Sequence, residues 1–177
     1  AIKRVEIRGT THFSREEVLK AANLQSGVNS LTVNIADVEQ GLRSNPWVLS
    51  VAVKRRLPDA FEIRIRERIP AFWMLKDGVL HYADNKGQII APVSVGNFLS
   101  LPTLEILPGG EELLPQMDEL SRAFQAAHLP VNMASVSLFR VSAAKGFEVF
   151  IENRNLVLCI AAEDWDANLR RLSLVLS

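Results

Sequence analysis

The sequence predicts an α+β protein of two domains, and two observations carry that prediction. Up to about residue 68, one short strand is followed by two helix patterns and then by two alternating strands. Beyond that point the sequence pattern is one of short strands that are separated by turn residues. We therefore predict a strand-helix-helix-strand-strand domain at residues 1–68. A mainly antiparallel β domain with flanking helices is predicted at residues 69–177.

Composition limits the class of protein. The chain has 177 residues, 48% of them hydrophobic, and its 20 basic residues balance its 20 acidic ones. The hydrophobic fraction supports packed cores, and the balanced charge gives no overall attraction to nucleic acid or anionic lipid. The single cysteine, Cys159, excludes an internal disulfide and is expected to be buried within the apolar run 156–160. This cysteine usage fits both the cytosol and an oxidising compartment.

The first domain begins with a strand and a well-marked helix. Val5 and Ile7 alternate with charged residues and predict the strand. Ser14 and Glu17 have the spacing of a capping box, in which each side chain accepts a hydrogen bond from the other's backbone amide. The sequence therefore predicts a helix that starts after Ser14, and Gly27 is expected to stop it.

The remainder of the first domain is predicted to be a helix and a hairpin. The helix starts near Asn34 and ends before Pro46, because proline disfavours a helical conformation at the residue before it. The run 61–65 has the clearest period of two in the chain, and pairs with a strand around residues 51–54. The expected core residues of this domain are Trp47, Val51, Phe61, Ile63 and Ile65.

The second domain is predicted to contain six strands, a central helix and a final helix. The strands are predicted at residues 71–75, 79–83, 88–90, 136–141, 147–152 and 156–160. Prolines and glycines in 91–110 predict a loop-rich region, and apolar spacing predicts a helix over about 114–127. The final helix should be capped by Asp164. Since it is still apolar at its end, we expect the native chain to continue past Ser177 and to pack there.

Motifs for chemistry are few. The histidines are His12, His81 and His128. Their spacing, to one another and to cysteine, does not match a metal site, and no glycine-rich loop leads from a strand into a helix. Ser14 is used for capping, and Glu67 with Asp84 is a weak candidate for a carboxylate pair. We therefore predict no catalytic residue, no cofactor and no metal site, and expect a protein that is not an enzyme.

A basic hairpin stands out from this background. Its cations are Lys54, Arg55, Arg56, Arg64, Arg66 and Arg68. Alternation places most of them on the solvent side of the sheet, where charged side chains can protect an edge strand. The same cations could bind anionic phospholipid, an acidic protein segment or nucleic acid. The absence of interleaved aromatic residues disfavours single-stranded nucleic acid.

A series of short motifs resembles the FtsQ/DivIB family of bacterial division proteins. They are Asn-Pro-Trp-Val at 45–48, Leu-Pro-Asp at 57–59, Glu-Arg-Ile-Pro-Ala at 67–71, Asp-Asn-Lys-Gly at 84–87 and Leu-Pro-Thr-Leu at 101–104. The resemblance runs along essentially the whole chain and is most specific between residues 46 and 70. The chain departs from the family at Glu105, where the family often has glycine.

The resemblance implies a fold, a location and a function. The first domain would be a POTRA domain and the second the family's β domain, truncated at its C-terminus. A short cytoplasmic tail and one membrane helix would precede Ala1, so these residues would lie on the periplasmic side of the inner membrane at the division septum. The family is not enzymatic. It binds FtsB-like and FtsL-like bitopic proteins and other divisome membrane proteins, and it links them to control of septal peptidoglycan synthesis.

The resemblance also implies where partners bind. One surface is a strand beyond Ser177, which a partner strand would extend. On the first domain, the implied partner contacts are Ser50, Val51, Ala52, Val53, Lys54 and Arg55. The basic surface beside them comprises Arg56, Arg64, Arg66 and Arg68. Two alternatives remain: a polypeptide-binding POTRA module of an outer-membrane assembly factor, and an enzyme whose site the sequence hides.

Overall fold

In the computed structural model the chain forms two compact units, Ala1–Arg68 and Ile69–Ser177. The residues that the structure describes are 1–24, 27–94, 99–126, 131, 133–152 and 154–176. The predicted α+β fold class is confirmed, because both units combine a sheet with helices.

The first unit has the predicted order of strand, helix, helix, strand and strand. Its elements are β1 (Arg4–Arg8), α1 (Arg15–Ala21), α2 (Ile35–Arg43), β2 (Val48–Arg56) and β3 (Ala60–Glu67). The strands form one sheet in the order β1-β3-β2, with β3 parallel to β1 and antiparallel to β2. The last strand of the sequence is therefore the centre of this sheet, and β1 and β2 are its two edges.

The predicted helix starts are confirmed. Ser14 and Glu17 form the capping box of α1, and the Asn34 side chain accepts a hydrogen bond of 3.0 Å from the Ala36 amide at the start of α2. The predicted stop at Gly27 is wrong. Helix α1 ends at Ala21, and Asn23 takes the left-handed conformation with a φ of 51°, which a short polar side chain tolerates.

Alternate residues of the strands form the core of the first unit under α1 and α2. Phe61, Ile63 and Ile65 on β3 are almost fully buried, and truncation of such residues is strongly destabilising. The expectation that Trp47 joins this core is wrong. Trp47 is only partly buried, and its ring stacks on His12 with 4.0 Å between the ring centroids.

A glycine allows the two helices of the first unit to approach closely. A Cβ atom at Gly41 of α2 would lie 2.2 Å from the backbone oxygen of Ala21 at the end of α1. That distance is far below van der Waals contact, and a backbone oxygen cannot rotate away as a flexible side chain can. The helix pair therefore needs glycine at this position.

The second unit is built on a single sheet of seven strands. These are β4 (Phe72–Lys76), β5 (Val79–Ala83), β6 (Ile89–Pro92), β7 (Thr103–Ile106), β8 (Val136–Ser142), β9 (Gly146–Ile151) and β10 (Leu156–Ile160). Their order is β10-β9-β8-β7-β4-β5-β6. The sheet is mainly antiparallel, as predicted, but β7 pairs in parallel with both β4 and β8.

The region 91–110, predicted to be loop-rich, contains a strand that the sequence did not predict, β7. Leu104 on this strand is 2% exposed and belongs to the core. The strand has only four residues and lies between turn residues, so it gives little periodicity. Its pairing partners, β4 and β8, are distant in the sequence. Among the described residues, β7 alone joins the antiparallel group β4–β6 to the antiparallel group β8–β10.

Two helices complete the second unit. Helix α3 (Met117–Ala126) follows a 3-10 turn that contains Pro115, and it buries Met117, Leu120 and Phe124 as expected; Ala127 lies outside the described residues. Helix α4 (Trp165–Leu176) follows Asp164, whose carbonyl oxygen accepts the Asn168 amide at 3.1 Å. Leu169 of α4 is buried, while Leu174 is 78% exposed.

We predict that Gly41→Ala destabilises the protein. In an ordinary helix interior this change is favourable by about 0.5–1 kcal/mol, but here the added methyl group overlaps the Ala21 backbone. Overpacking of this kind costs on the order of 1–3 kcal/mol. Gln40→Ala, at an exposed position of the same helix, is the control and should be near neutral. Urea unfolding of both variants measures the effect, and a more stable Gly41→Ala variant would contradict it.

Candidate functional site

The strand with the predicted partner contacts, β2, is an edge strand. The Val53 amide donates a hydrogen bond of 3.2 Å to Oε1 of Glu39 on α2, so this amide points away from β3. In an antiparallel pair the outward-pointing residues alternate with those bonded to the neighbouring strand. From the register, Val51 and Arg55 therefore present their backbone groups to the same open edge as Val53.

The predicted partner residues divide into two sets along β2. Ser50, Ala52 and Lys54 are exposed on the outer face of the sheet, whereas Val51 and Val53 are buried against the helices. The structure thus brings the six residues onto one strand, but only some of their side chains are available. A partner strand beside β2 would bind mainly to its backbone groups, and the side chains on its outer face would add further contacts.

Arg55 has a structural role in this unit. Its guanidinium donates to the backbone oxygen of Val33 in the α1–α2 loop and lies 5.7 Å from the centre of the Phe61 ring. Such a contact combines a charge-assisted hydrogen bond with attraction of the cation to an aromatic face. Arg55 therefore holds the α1–α2 loop against β2, and sequence alternation alone gave no sign of that contact.

Charged side chains from the helices satisfy backbone groups at both edges of this sheet. Arg15 of α1 donates a hydrogen bond of 2.9 Å to the backbone oxygen of Val5 on β1, as Glu39 accepts from Val53 on β2. Glu39 is also paired with Arg43 at 3.0 Å. Charged groups at sheet edges hinder uncontrolled strand addition. A strand that pairs with β2 must therefore displace Glu39.

The basic hairpin contains a buried acid that the sequence interpretation missed. Glu62 is 5% exposed, and its carboxylate accepts hydrogen bonds from Arg56 at 2.6 Å and from Arg64 at 2.6 Å. The hydrogen bond from Arg56 is the main reason that the pKa of Glu62 lies below its usual value, and Arg64 lowers it further. Part of the positive charge of the hairpin is therefore neutralised within the sheet.

The remaining predicted basic residues do not form one cluster. Arg66 is exposed on the outer face, whereas Arg68 is partly buried and donates its backbone amide to the Trp47 oxygen at 2.8 Å. The parallel pairing of β1 adds two cations to the same sheet, because Arg4 lies opposite Ala60 and Arg8 lies opposite Arg64. The hairpin pattern did not include these residues, since their position depends on a pairing between distant segments.

Glu67 holds the connection between β1 and α1. Its carboxylate accepts hydrogen bonds from the backbone amides of Thr11, His12 and Phe13 at 2.8–3.0 Å. It also contacts the His12 ring nitrogen Nδ1 at 2.9 Å. Burial raises the pKa of Glu67, but the three amides and the His12 side chain together bring it below the usual value of 4.5. Glu67 and His12 thus have structural roles.

Cys159 is exposed, so the expectation of a buried thiol is wrong. Strand β10 is an edge of its sheet and pairs only with β9. Its residues alternate, with Leu158 and Ile160 buried and Val157 and Cys159 facing outwards. The run 156–160 has apolar side chains on both faces, and its composition does not show which face is covered.

The described residues form no cluster of metal-binding side chains. No three of their His, Cys, Asp or Glu side chains converge into a group that could hold a metal ion; His128 lies outside these ranges. Two surface clefts, of about 280 and 350 Å³, contain one carboxylate each, Asp37 and Glu152, and neither histidine nor cysteine. Asp84 accepts amide hydrogen bonds from Lys86 and Gln88 and so shapes a turn. None of the helices in these ranges is long and apolar enough to cross a membrane.

Comparison with known proteins gives a consistent result. A family model described as "POTRA domain, FtsQ-type" matches residues 1–68. A protein of Syntrophotalea carbinolica named "Cell division protein FtsQ" is 28% identical over 127 residues, which is 68% of this chain and 45% of the relative. A protein of the same name from Corynebacterium glutamicum is 29% identical over 127 residues, or 69% of this chain and 54% of the relative.

The chain is also similar to a protein with a different name. "Cell division protein DivIB" of Clostridium tetani is 28% identical over 89 residues, which is 50% of this chain and 34% of that relative. The chain thus spans about a third to about a half of the length of these relatives. The two matches of 127 residues are longer than either unit, so they include residues of both units.

We predict that Glu67→Gln weakens the fold in a pH-dependent manner. Loss of hydrogen bonds to a charged, mostly buried acceptor costs on the order of 1–3 kcal/mol at neutral pH. Because the pKa of Glu67 is lowered on folding, its contribution is present above about pH 4.5 and is lost as the pH falls through the lower folded value. Urea unfolding across pH 3–7 should show the difference narrowing at low pH. Glu16→Gln, at an exposed site, is the control.

We predict that Cys159 reacts in the folded protein. Its exposure on β10 should allow one equivalent of Ellman's reagent to react without denaturant. Cys159→Ser should change the free energy of unfolding by about 0.5 kcal/mol or less, as expected for a surface substitution. A thiol that reacts only after unfolding would contradict the structure at this strand.

Proposed function

Since the chain belongs to the FtsQ/DivIB family of bacterial cell-division proteins, we propose that it is a non-enzymatic scaffold of the divisome. It would bind membrane division proteins, including FtsB-like and FtsL-like bitopic partners. Through them it would act on septal peptidoglycan synthesis. No nucleic acid, metal or cofactor is part of this proposal. The FtsQ-type match at residues 1–68 favours it over the outer-membrane assembly factor.

The open edge of β2 is the observation that supports a scaffold most directly. Three consecutive outward positions, Val51, Val53 and Arg55, offer backbone groups along one edge. An extended segment of a partner can pair with such an edge, where main-chain hydrogen bonds supply affinity and alternate side chains supply specificity. The exposed Ser50, Ala52 and Lys54 side chains would lie beside the partner's outer-face residues.

Displacement of Glu39 would make this pairing selective. The carboxylate now accepts from the central outward amide, Val53, and pairs with Arg43. A partner strand must supply a carbonyl oxygen that replaces Glu39 at this amide. Weakly binding segments would fail to displace it, so the edge would remain protected against aggregation and would open only to a matched strand.

The second proposed partner surface lies beyond the final helix. In the second unit, Leu174 in the last turn of α4 is 78% exposed, and the outer edge of β10 has no partner strand among the described residues. We propose that a further strand follows Ser177, pairs within this sheet and offers its own edge to an FtsB-like partner. The greater length of the relatives leaves room for it.

The proposed location follows from the same family. A short cytoplasmic tail and one membrane helix would precede Ala1 and anchor both units on the periplasmic side of the inner membrane, at the septum. The two units would then meet partners that are themselves anchored beside them. Anchoring in the same membrane raises the effective concentration of the partners. Strand-edge contacts of low affinity are then sufficient for assembly.

We predict that an FtsB-like partner peptide binds this 177-residue chain much more weakly than a longer native chain that continues past Ser177. Isothermal titration of both chains with the same peptide measures the difference, which should be at least tenfold, or about 1.4 kcal/mol. Equal affinities would mean that the partner site lies wholly within residues 1–177, and the proposed C-terminal edge would be abandoned.

Amide hydrogen exchange by NMR provides the internal control for β2. When a partner strand pairs with β2, the exchange of the Val51, Val53 and Arg55 amides should slow. The Ala52 and Lys54 amides already point towards β3 and should change little. Two results would rule out pairing at this edge. One is equal slowing of exchange at all β2 amides, and the other is no slowing at any of them when membrane division proteins are added.

A further inference from the structure

Two exposed leucines lie on adjoining loops at one end of the first unit. Leu57, at the tip of the β2–β3 hairpin, is 70% exposed, and Leu31, in the α1–α2 loop, is 65% exposed. A single exposed leucine is ordinary on a protein surface. Two of them on loops that are bonded to each other form a local apolar feature that needs an explanation.

Hydrogen bonds join these loops to the beginning of the chain. The Ser30 hydroxyl, on a residue that is 2% exposed, donates to the Pro58 oxygen at 2.7 Å. The Ile2 amide donates to the backbone oxygen of Val28 at 2.9 Å, and the Lys3 amide donates to the backbone oxygen of Asp59 at 2.8 Å. The residues before β1, the α1–α2 loop and the hairpin tip therefore form one end of the unit, which we call the loop end (residues 1–4, 28–33 and 54–60).

Five cations belong to the loop end. They are Lys3, Arg4, Lys54, Arg55 and Arg56. The nearby carboxylates are fewer: Asp59 pairs with Lys3 at 3.1 Å, Glu62 pairs with Arg56, and Asp37 lies in the first turn of α2. The loop end thus has an excess of positive charge, although the chain as a whole is neutral.

We propose that the loop end is a peripheral contact site for an anionic phospholipid bilayer. Leu31 and Leu57 would enter the interface between headgroups and acyl chains, and the surrounding cations would bind headgroup phosphates. A surface that carries both exposed leucines and cations fits this boundary, because the boundary offers hydrocarbon and negative charge within a few ångströms. Arg55, through its contacts with Val33 and Phe61, holds the two loops together for joint insertion.

Other anionic partners fit the loop end less well. Single-stranded nucleic acid is bound largely by stacking on aromatic rings, and the loop end exposes leucines. An acidic peptide would satisfy the cations but would leave the leucines in water. The proposal rests on the proposed function in one respect: a membrane helix before Ala1 would bring this end to the bilayer. Binding of the unanchored chain to vesicles tests it without that helix or any protein partner.

Vesicle co-sedimentation of the 177-residue chain is the test. Vesicles that contain phosphatidylglycerol and phosphatidylcholine should bind the chain, and vesicles of phosphatidylcholine alone should not. Raising the salt from about 0.05 to 0.5 M should weaken binding, because screening acts on the exposed charges. The double variant Leu31→Ser/Leu57→Ser should lower the partition coefficient about tenfold or more. Circular dichroism checks that each variant is folded.

Two matched substitutions locate the site. Leu75→Ser, at a leucine of the second unit that is 69% exposed, should leave vesicle binding unchanged. Arg4→Gln should weaken binding about fivefold, whereas Arg66→Gln removes the same charge from the same sheet at a distance from the loop end and should have a smaller effect. Both arginines are exposed, so neither change threatens the fold.

Several outcomes would overturn the proposal. These are no binding to anionic vesicles, equal binding to both lipid compositions, equal loss for Arg4→Gln and Arg66→Gln, or no effect of the leucine pair. If an oligonucleotide or poly-glutamate binds as well as the anionic vesicles and does so without the leucines, the loop end is a general polyanion site instead. None of these results bears on the titration with the partner peptide, so the scaffold proposal would stand or fall separately.

Discussion

The burial of β3 is the constraint on which the first unit depends. Phe61, Ile63 and Ile65 are covered by both helices, so β3 must lie in the middle of the sheet. That position makes β1 and β2 the edges, although β1 comes first in the chain and β2 immediately precedes β3. Edge strands have backbone groups that no neighbouring strand pairs with, and Arg15 and Glu39 from the helices form hydrogen bonds with two of them. The position of the proposed docking strand, β2, is thus a consequence of which strand is most buried.

Electrostatics in this unit are organised by internal acids. Glu62 partly neutralises the charges of Arg56 and Arg64. Glu67 accepts hydrogen bonds from three successive backbone amides of the β1–α1 connection. A buried carboxylate is tolerated only when such donors compensate for its desolvation. Among the cations that Glu62 does not bind, Arg4 and Lys54 are exposed at the loop end. Charge counted along the hairpin sequence would have spread the same positive surface evenly over the whole sheet.

The second unit shows how a short element can determine a fold. Strand β7 has four residues, yet it joins two antiparallel groups into one sheet of seven strands. Its parallel pairings with β4 and β8 connect segments that are distant in the sequence. Parallel neighbours need long connections, and here the chain between β7 and β8 contains α3. The sheet then leaves β10 at one edge, with Cys159 facing outwards.

The sequence by itself determined the features that depend on neighbouring residues: the capping box at Ser14, the alternation of Phe61, Ile63 and Ile65, and the apolar face of α3. It also indicated the family, because short motifs keep their spacing. Only the tertiary structure decided that β3 is central, that β7 is a strand, that Trp47 stacks on His12 and that Cys159 is exposed. The reason is physical. Local patterns state which side of an element is apolar, whereas strand order, edge position and burial arise from pairing between residues that are far apart in the chain.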